Sequence, residues 1–132
     1  MELNSQTILP NDLDEAIEIL KTFYKNSIEE IKRMEEKEFM TSSHFGAGMF
    51  IRNEWYLWWY EGHNYPNHWP VHKPKLNEMF NSRGITHADD MSGIILKSLY
   101  RSIHGLDIQL DKQIKHYQDY WKNNGYPDGI PK

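Results

Sequence analysis

The chain has 132 residues, which is enough for one domain with a single hydrophobic core. Its composition, 39% hydrophobic and 26% charged residues without cysteine, is typical of a globular protein and excludes disulfides, thiolate metal sites and cysteine nucleophiles. The net charge of −4, the absence of an apolar run of about 18 residues and the acidic N-terminus predict a cytoplasmic protein without a secretory signal, a membrane span or a nucleic-acid partner.

The first predicted helix starts at Asn11 or Asp12. Its apolar residues recur at helical spacing: Leu13, Ala16, Ile17, Leu20 and Phe23. Ser27 is a candidate cap for a second helix, and Glu29 and Glu30 favour the positive start of that helix. The N-terminal part of the chain is therefore predicted to be helical.

Negative charge is concentrated in these helices. Residues 1–40 hold ten acidic and five basic side chains, whereas residues 41–132 hold nine acidic and ten basic ones. A negative surface accelerates encounter with a cationic protein, which makes Glu15 and Glu18 candidate partner contacts. The plainer alternative is a solvated helix face, because acidic helix faces are common.

A third helix is predicted to begin near Thr41 or Ser42 and to carry the stretch SHFGAGMFIRNEWYLWW, residues 43–59. Its apolar residues are not confined to one stripe, which is typical of a central helix surrounded by others. Gly46 and Gly48 each cost about 1 kcal/mol relative to alanine within a helix. We expect this cost to be offset by the close approach of a neighbouring helix.

Arg52 is the residue of this stretch whose placement is most constrained. It shares one side of the helix with His44, because the spacing is a multiple of four residues. A buried guanidinium must be paired, and Asp89 and Asp90 are the candidate partners. The alternative is that Arg52 pairs locally with Glu54 or with solvent while the aspartates interact only with the helix dipole.

Seven aromatic residues follow between positions 55 and 69, and tryptophan and tyrosine often dominate the energetics of protein interfaces. We expect Leu57 and Trp58 to complete the core. The side chains predicted to contact a partner in this segment are Trp55, Tyr56, Trp59, Tyr60, Tyr65 and Trp69. The alternative is that the segment is only a lid over the helices, since exposed aromatic surface is costly unless it is used.

Three histidines in the same segment, His63, His68 and His72, are spaced by five and four residues. Three imidazoles can hold zinc. No predicted helix or strand fixes their positions, and histidine in a wet loop is more often a surface residue. We therefore predict neither a metal ion nor a cofactor.

Three further helices are predicted: residues 74–83, a helix that opens with a capping box from Thr86 to Asp89 and ends near His104, and residues 109–123. The tail, residues 126–132, is predicted to be loose. No stretch alternates with a period of two residues. The sequence therefore predicts a single all-α domain over residues 1–132, a bundle of five or six helices with an aromatic-rich loop.

The segment SHFGAGMFIRNEWYLW resembles a bacterial pattern H-F-G-x-G-M-x-I-R-N followed by Leu-Trp, and THADDMSGIIL resembles a second pattern, H-P-D-D-M-S-x-I-I-L. Together they resemble a small bacterial domain family of unknown function over about residues 10–105. Ala88 stands where that family usually has proline. The resemblance implies no activity, although domains of this size and type often accompany bacterial toxins as immunity partners.

The function predicted from these features is protein binding, with a cognate toxin as the partner and toxin immunity as its sharpest form. The alternative is a small enzyme acting on an anionic substrate through a polar cluster of side chains. The enzyme would use the side chains of His44, Arg52, His87, Asp89 and Asp90. The protein-binding interpretation treats the same residues, together with Asn53, as a structural polar cluster. No catalytic residue is assigned.

Overall fold

The computed structural model describes residues 9–59 and 68–126. Its helices are α1 (Leu13–Phe23), α2 (Ile28–Arg33), α3 (Glu36–Ser43), α4 (Met49–Glu54), α5 (Lys75–Ser82), α6 (Ala88–Ile103) and α7 (Leu110–Asn123), and a π-helical turn (His44–Gly48) joins α3 to α4. The described ranges contain no strand. Because α3, the π turn and α4 run on without a break, there are six helical segments, and the predicted all-α fold is confirmed.

Helix α6 lies at the centre of the fold. It contacts α1, α2, α3, the π turn, α4 and α7, and ten of its 16 residues are buried. The central position was predicted for the stretch 43–59 instead, and that prediction is wrong. The π turn leaves Phe45 73% exposed, while Ile51, Trp55 and Leu57 of the same stretch pack into the core.

Two predicted helix starts are also wrong. The third helix begins at Glu36, several residues before Thr41. Helix α6 is capped by His87, not by Thr86: the His87 Nδ1 accepts a hydrogen bond of 3.0 Å from the backbone N–H of Asp89. Imidazole nitrogen thus takes the acceptor role that a serine, threonine or aspartate oxygen usually has at this position.

Close helix contacts occur at two of the three glycines that lie in the stretch 43–59 and in α6, namely Gly48 and Gly93. A Cβ atom on Gly48 would lie 2.9 Å from Nη1 of Arg52 and 3.5 Å from Cδ1 of Leu96 in α6. A Cβ atom on Gly93 would lie 2.5 Å from the hydroxyl oxygen of Tyr117 in α7. No atom lies within 4 Å of the corresponding point on Gly46, so the close approach predicted there is wrong.

Within the parts of the chain that the structure describes, no helix has both the length and the apolar character needed to cross a membrane. The predicted loose tail, apart from Tyr126, falls outside those parts, as do Tyr60, His63 and Tyr65.

Candidate interaction surface

Arg52 is held by three groups from two elements. Its Nη1 donates a 2.8 Å hydrogen bond to Oγ of Ser92, its Nη2 donates one of 3.1 Å to the carbonyl oxygen of His44, and its Nε lies 3.4 Å from Oδ1 of Asp89. The residue is only 5% exposed. These four residues form what we call the polar junction, which joins the π turn and α4 to the start of α6. The predicted pairing of Arg52 with Asp89 is confirmed.

The other members of the predicted polar cluster do not converge on the Arg52 guanidinium. His44 contributes only its backbone carbonyl, and its ring packs against Phe45 with centroids 4.7 Å apart. Asn53 is exposed, and Asp90 is directed towards α7. The Arg52 guanidinium is buried and already hydrogen-bonded to Ser92 and to the carbonyl of His44, so little of it is accessible from outside.

Asp90 is a buried carboxylate that anchors the last helix. Its Oδ2 accepts a 2.8 Å hydrogen bond from Nε1 of Trp121. Burial raises the pKa of Asp90 above its ordinary value of 3.8, and the nearby Asp89 adds to that rise, whereas the hydrogen bond from Trp121 and the proximity of His87 and His116 oppose it. The charged form is therefore less favourable in the folded protein than in the unfolded chain.

This raised pKa makes the stability of the folded protein depend on pH. The contribution of Asp90 is most favourable below pH 3.8, its ordinary value, and is lost as the pH rises through the raised folded-state pKa. We expect Asp90→Asn, which keeps an acceptor for Trp121, to raise the melting temperature at neutral pH. Thermal unfolding between pH 3.5 and 7 (roughly the span of carboxyl titration) tests this. An Asn variant whose stability follows the wild-type pH profile would contradict the assignment.

Around Asp90 the structure assembles a chain of ring contacts that we call the aromatic ladder: Trp58, His87, Trp121, Tyr120 and Tyr126. The ring centroid of His87 lies 5.7 Å from that of Trp58 and 6.2 Å from that of Trp121. Trp121 lies in turn 5.1 Å from Tyr120 and 5.6 Å from Tyr126. Tyr120 is 51% and Tyr126 39% exposed, so the ladder reaches the surface at the end of α7.

None of the five residues of this ladder was predicted as a partner contact. Trp121 lies within the helix predicted over residues 109–123 and is partly buried. The sequence feature that points to the surface is the group of three large aromatic residues at positions 120, 121 and 126, beside polar neighbours at the end of a helix.

The aromatic segment after α4 is folded against the protein. Trp59 donates a 3.0 Å hydrogen bond from Nε1 to the carbonyl of Pro70, and the rings of Tyr56 and Trp69 lie 5.0 Å apart. Both contacts connect residues 55–59 with residues 68–71. Tyr56, Trp59 and Trp69 are partly buried, so each keeps some exposed surface.

Trp55 corrects the predicted set of partner contacts, because it is 1% exposed and belongs to the core. Its Nε1 is buried and has no hydrogen-bond partner in the described part of the chain. Trp58, which was expected to complete the core, is partly buried and packs against the core, and its ring makes an edge-on contact with the ring of His87. Trp55 is therefore a core residue, whereas Trp58 lies at the margin of the core.

The two acidic residues predicted to contact a partner both lie on the exposed side of α1. Oε1 of Glu15 accepts a 3.1 Å hydrogen bond from the backbone of Asn11, while the backbone N–H of Glu15 donates to Oδ1 of Asp12. Glu18 lies 3.7 Å from Lys21 and is mostly exposed. Glu15 therefore takes part in the hydrogen bonds that cap the start of α1, and Glu18 is the more accessible of the two to a partner.

The described residues contain no group of three histidine, cysteine or acidic side chains placed to hold a metal ion. Of the three histidines considered as zinc ligands, His68 and His72 are exposed, and His63 lies outside the described residues.

A family model described as a domain of unknown function, DUF6794, matches residues 9–65 and 59–103. The match covers both sequence patterns and the whole polar junction, and it ends before α7 with its part of the aromatic ladder. No curated protein matches the chain. No solved structure matches it either.

Proposed function

We propose, for a chain that belongs to the DUF6794 family of unknown function, that it works as a protein-binding module. Its contact surface would combine the aromatic ladder with the exposed surface of Tyr56, Trp59 and Trp69. The two parts meet in sequence at the neighbouring residues Trp58 and Trp59.

The observation that carries this proposal is the fixed presentation of exposed tyrosines at the end of α7. Tyr120 and Tyr126 both pack on Trp121, and Trp121 is held by a hydrogen bond to the buried Asp90. Exposed rings are costly unless they are used, and rings already held in place lose little freedom when a partner binds. Rigid tyrosine and tryptophan side chains are typical anchors of protein interfaces.

The sharper form of the proposal is a cytoplasmic immunity protein that neutralises a cognate toxin by covering its active surface. The exposed acidic side chains of α1, such as Glu18, would attract a cationic toxin, because complementary charge accelerates encounter. The resemblance noted in the two sequence patterns points in the same direction.

The test is co-expression with the product of the neighbouring gene, followed by purification of a one-to-one complex. We expect Trp59→Ala, Trp69→Ala and Tyr120→Ala each to weaken binding by more than about 1 kcal/mol without loss of the fold. Calorimetry measures the affinity, and circular dichroism checks the fold.

Leu106→Ala is the matched control. Leu106 is an exposed apolar residue just beyond the far end of α6, about 24 Å along that helix from its start at the ladder. The affinity of the Leu106→Ala variant for the partner should equal that of the wild type. Unchanged affinity in the three aromatic variants, or an equal loss in the control, would remove the proposed surface from the interface.

A further inference from the structure

His87 lies where the start of α6 meets the aromatic ladder. Its Nδ1 accepts a 3.0 Å hydrogen bond from the backbone N–H of Asp89 and so caps the helix. The same ring contacts two tryptophans of the ladder, with centroids 5.7 Å from Trp58 and 6.2 Å from Trp121. One side chain therefore connects a helix end with the middle of the ladder, and a change in its charge acts on both.

The cap requires His87 to be uncharged. A ring nitrogen that accepts a hydrogen bond carries no proton, so the proton of neutral His87 is on Nε2. In the imidazolium form both ring nitrogens carry protons, and Nδ1 can no longer accept from the backbone N–H of Asp89. The His87 side chain is 28% exposed, which lets it exchange protons with water. Serine, threonine and asparagine caps have no such dependence on pH, whereas histidine ordinarily changes charge between about pH 5 and 8.

An alternative partner for a protonated Nδ1 is already in place. Oδ2 of Asp89 lies 3.8 Å from Nδ1 of His87, just beyond hydrogen-bonding distance. The other oxygen of the same carboxylate, Oδ1, lies 3.4 Å from Nε of Arg52. Because the two contacts use different oxygens, Asp89 can accept from His87 without releasing Arg52. A small rotation of the imidazole would exchange the backbone N–H for the carboxylate.

The charged and titratable groups of the described chain near His87 come from three helices: Arg52 of α4, Asp89 and Asp90 of α6, and His116 and Tyr117 of α7. The two aspartates favour an imidazolium, whereas Arg52, the positive start of α6 and a charged His116 oppose it. Tyr117 is neutral, because burial raises its pKa above the ordinary value of 10.0. The adjacent carboxylates give an imidazolium a place within the ladder, so protonation shifts the ring instead of expelling it.

We propose that His87 is a pH-sensitive switch that sets the arrangement of the aromatic ladder. In the neutral form the ring caps α6 and contacts Trp58 and Trp121 as described. In the protonated form Nδ1 donates to Oδ2 of Asp89, the cap bond is lost, and the ring shifts against both tryptophans. The switch itself needs no partner protein. Its consequence, a contact surface that differs between neutral and mildly acidic solution, rests on the proposed function.

Nitrogen-15 NMR of the full chain without a partner protein, titrated from about pH 8 to pH 5, follows the switch at single atoms. At the upper end we expect the imidazole of His87 to carry its proton on Nε2. On acidification, the backbone amide of Asp89 and the indole N–H signals of Trp58 and Trp121 should shift with the same midpoint as the His87 ring. A proton on Nδ1 at the upper end, or an Asp89 amide that does not follow His87, overturns the proposal.

Three variants assign this shared transition to one residue. His87→Asn keeps a preferred helix cap that does not titrate, so it should preserve the fold by circular dichroism and abolish the transition. His44→Asn is the matched control, because the ring of His44 packs on Phe45 outside the ladder, and the transition should remain. Asp90→Asn removes the other nearby group that titrates in acid, and here too the transition should remain. Its persistence in the His87 variant, or its loss in either of the other two, would assign it to another group and overturn the switch.

Discussion

Replacing Arg52 by alanine should lower the free energy of unfolding by about 3 kcal/mol. The loss has two sources: the hydrogen bonds from the guanidinium to Ser92 and to the carbonyl of His44, and the void left by an enclosed side chain. Hydrogen bonds to charged groups contribute about 1.5–3 kcal/mol each, and the two are not additive here because the neighbouring groups can rearrange. Urea unfolding of both proteins measures the difference.

Asp89→Ala is the informative comparison, because it removes the other member of the ion pair. The Asp89 side chain is 47% exposed, so solvent screens its attraction to Arg52. We expect this variant to lose about 1 kcal/mol, including the favourable interaction of a carboxylate with the start of α6. A loss as large as that of Arg52→Ala would mean that the ion pair, and not the enclosed hydrogen bonds, stabilises the polar junction.

Gly48→Ala should lower the free energy of unfolding by about 2 kcal/mol. The backbone of Gly48 is already helical, with φ −60° and ψ −49°, so alanine would otherwise be favoured there by about 1 kcal/mol. The new Cβ would lie 2.9 Å from Nη1 of Arg52 and 3.2 Å from the carbonyl oxygen of Ser43. Arg52 cannot move away cheaply, since Ser92 and His44 hold it.

Gly46→Ala tests the same helical turn without the contact, since no atom lies within 4 Å of the added Cβ. This variant should be as stable as the wild type or more stable, by up to about 1 kcal/mol. Chemical unfolding of both variants gives the comparison. Equal effects at the two glycines would show that backbone preference, and not the proximity of Arg52, determines the outcome.

The sequence was sufficient to predict the all-α fold and the main contact between its two patterned segments. The bounds of α5 and α7 follow from proline, glycine and apolar spacing, which act locally. The pairing of Arg52 with Asp89 follows from a general requirement, because a buried guanidinium must have partners.

The places of individual aromatic residues could not be predicted in the same way. The π turn shifts the phase of the helix after Ser43, which turns Phe45 outward although simple helical spacing places it among buried neighbours. Trp55 and Trp58 are likewise distinguished only by how the chain leaves α4, where Tyr56 adopts φ 57°. Such a backbone conformation depends on tertiary contacts, including the hydrogen bond from Asn77 to the carbonyl of Tyr56.

Part of the candidate surface is tertiary in origin as well. The contacts of His87 with Trp58 and Trp121 join residues that are far apart in sequence, and they exist because the ends of α4 and α7 lie near the start of α6. No spacing rule along the chain predicts such a contact.

Hydrogen–deuterium exchange on the complex with the neighbouring gene product tests the proposed function most directly. We expect slower exchange on binding at residues 56–59, 68–71 and 120–126, and unchanged exchange in the turn between α6 and α7. Protection confined to that turn or to the opposite end of α6, with the aromatic segments unchanged, would contradict the proposed surface. Failure of the two proteins to form a complex would contradict the immunity role.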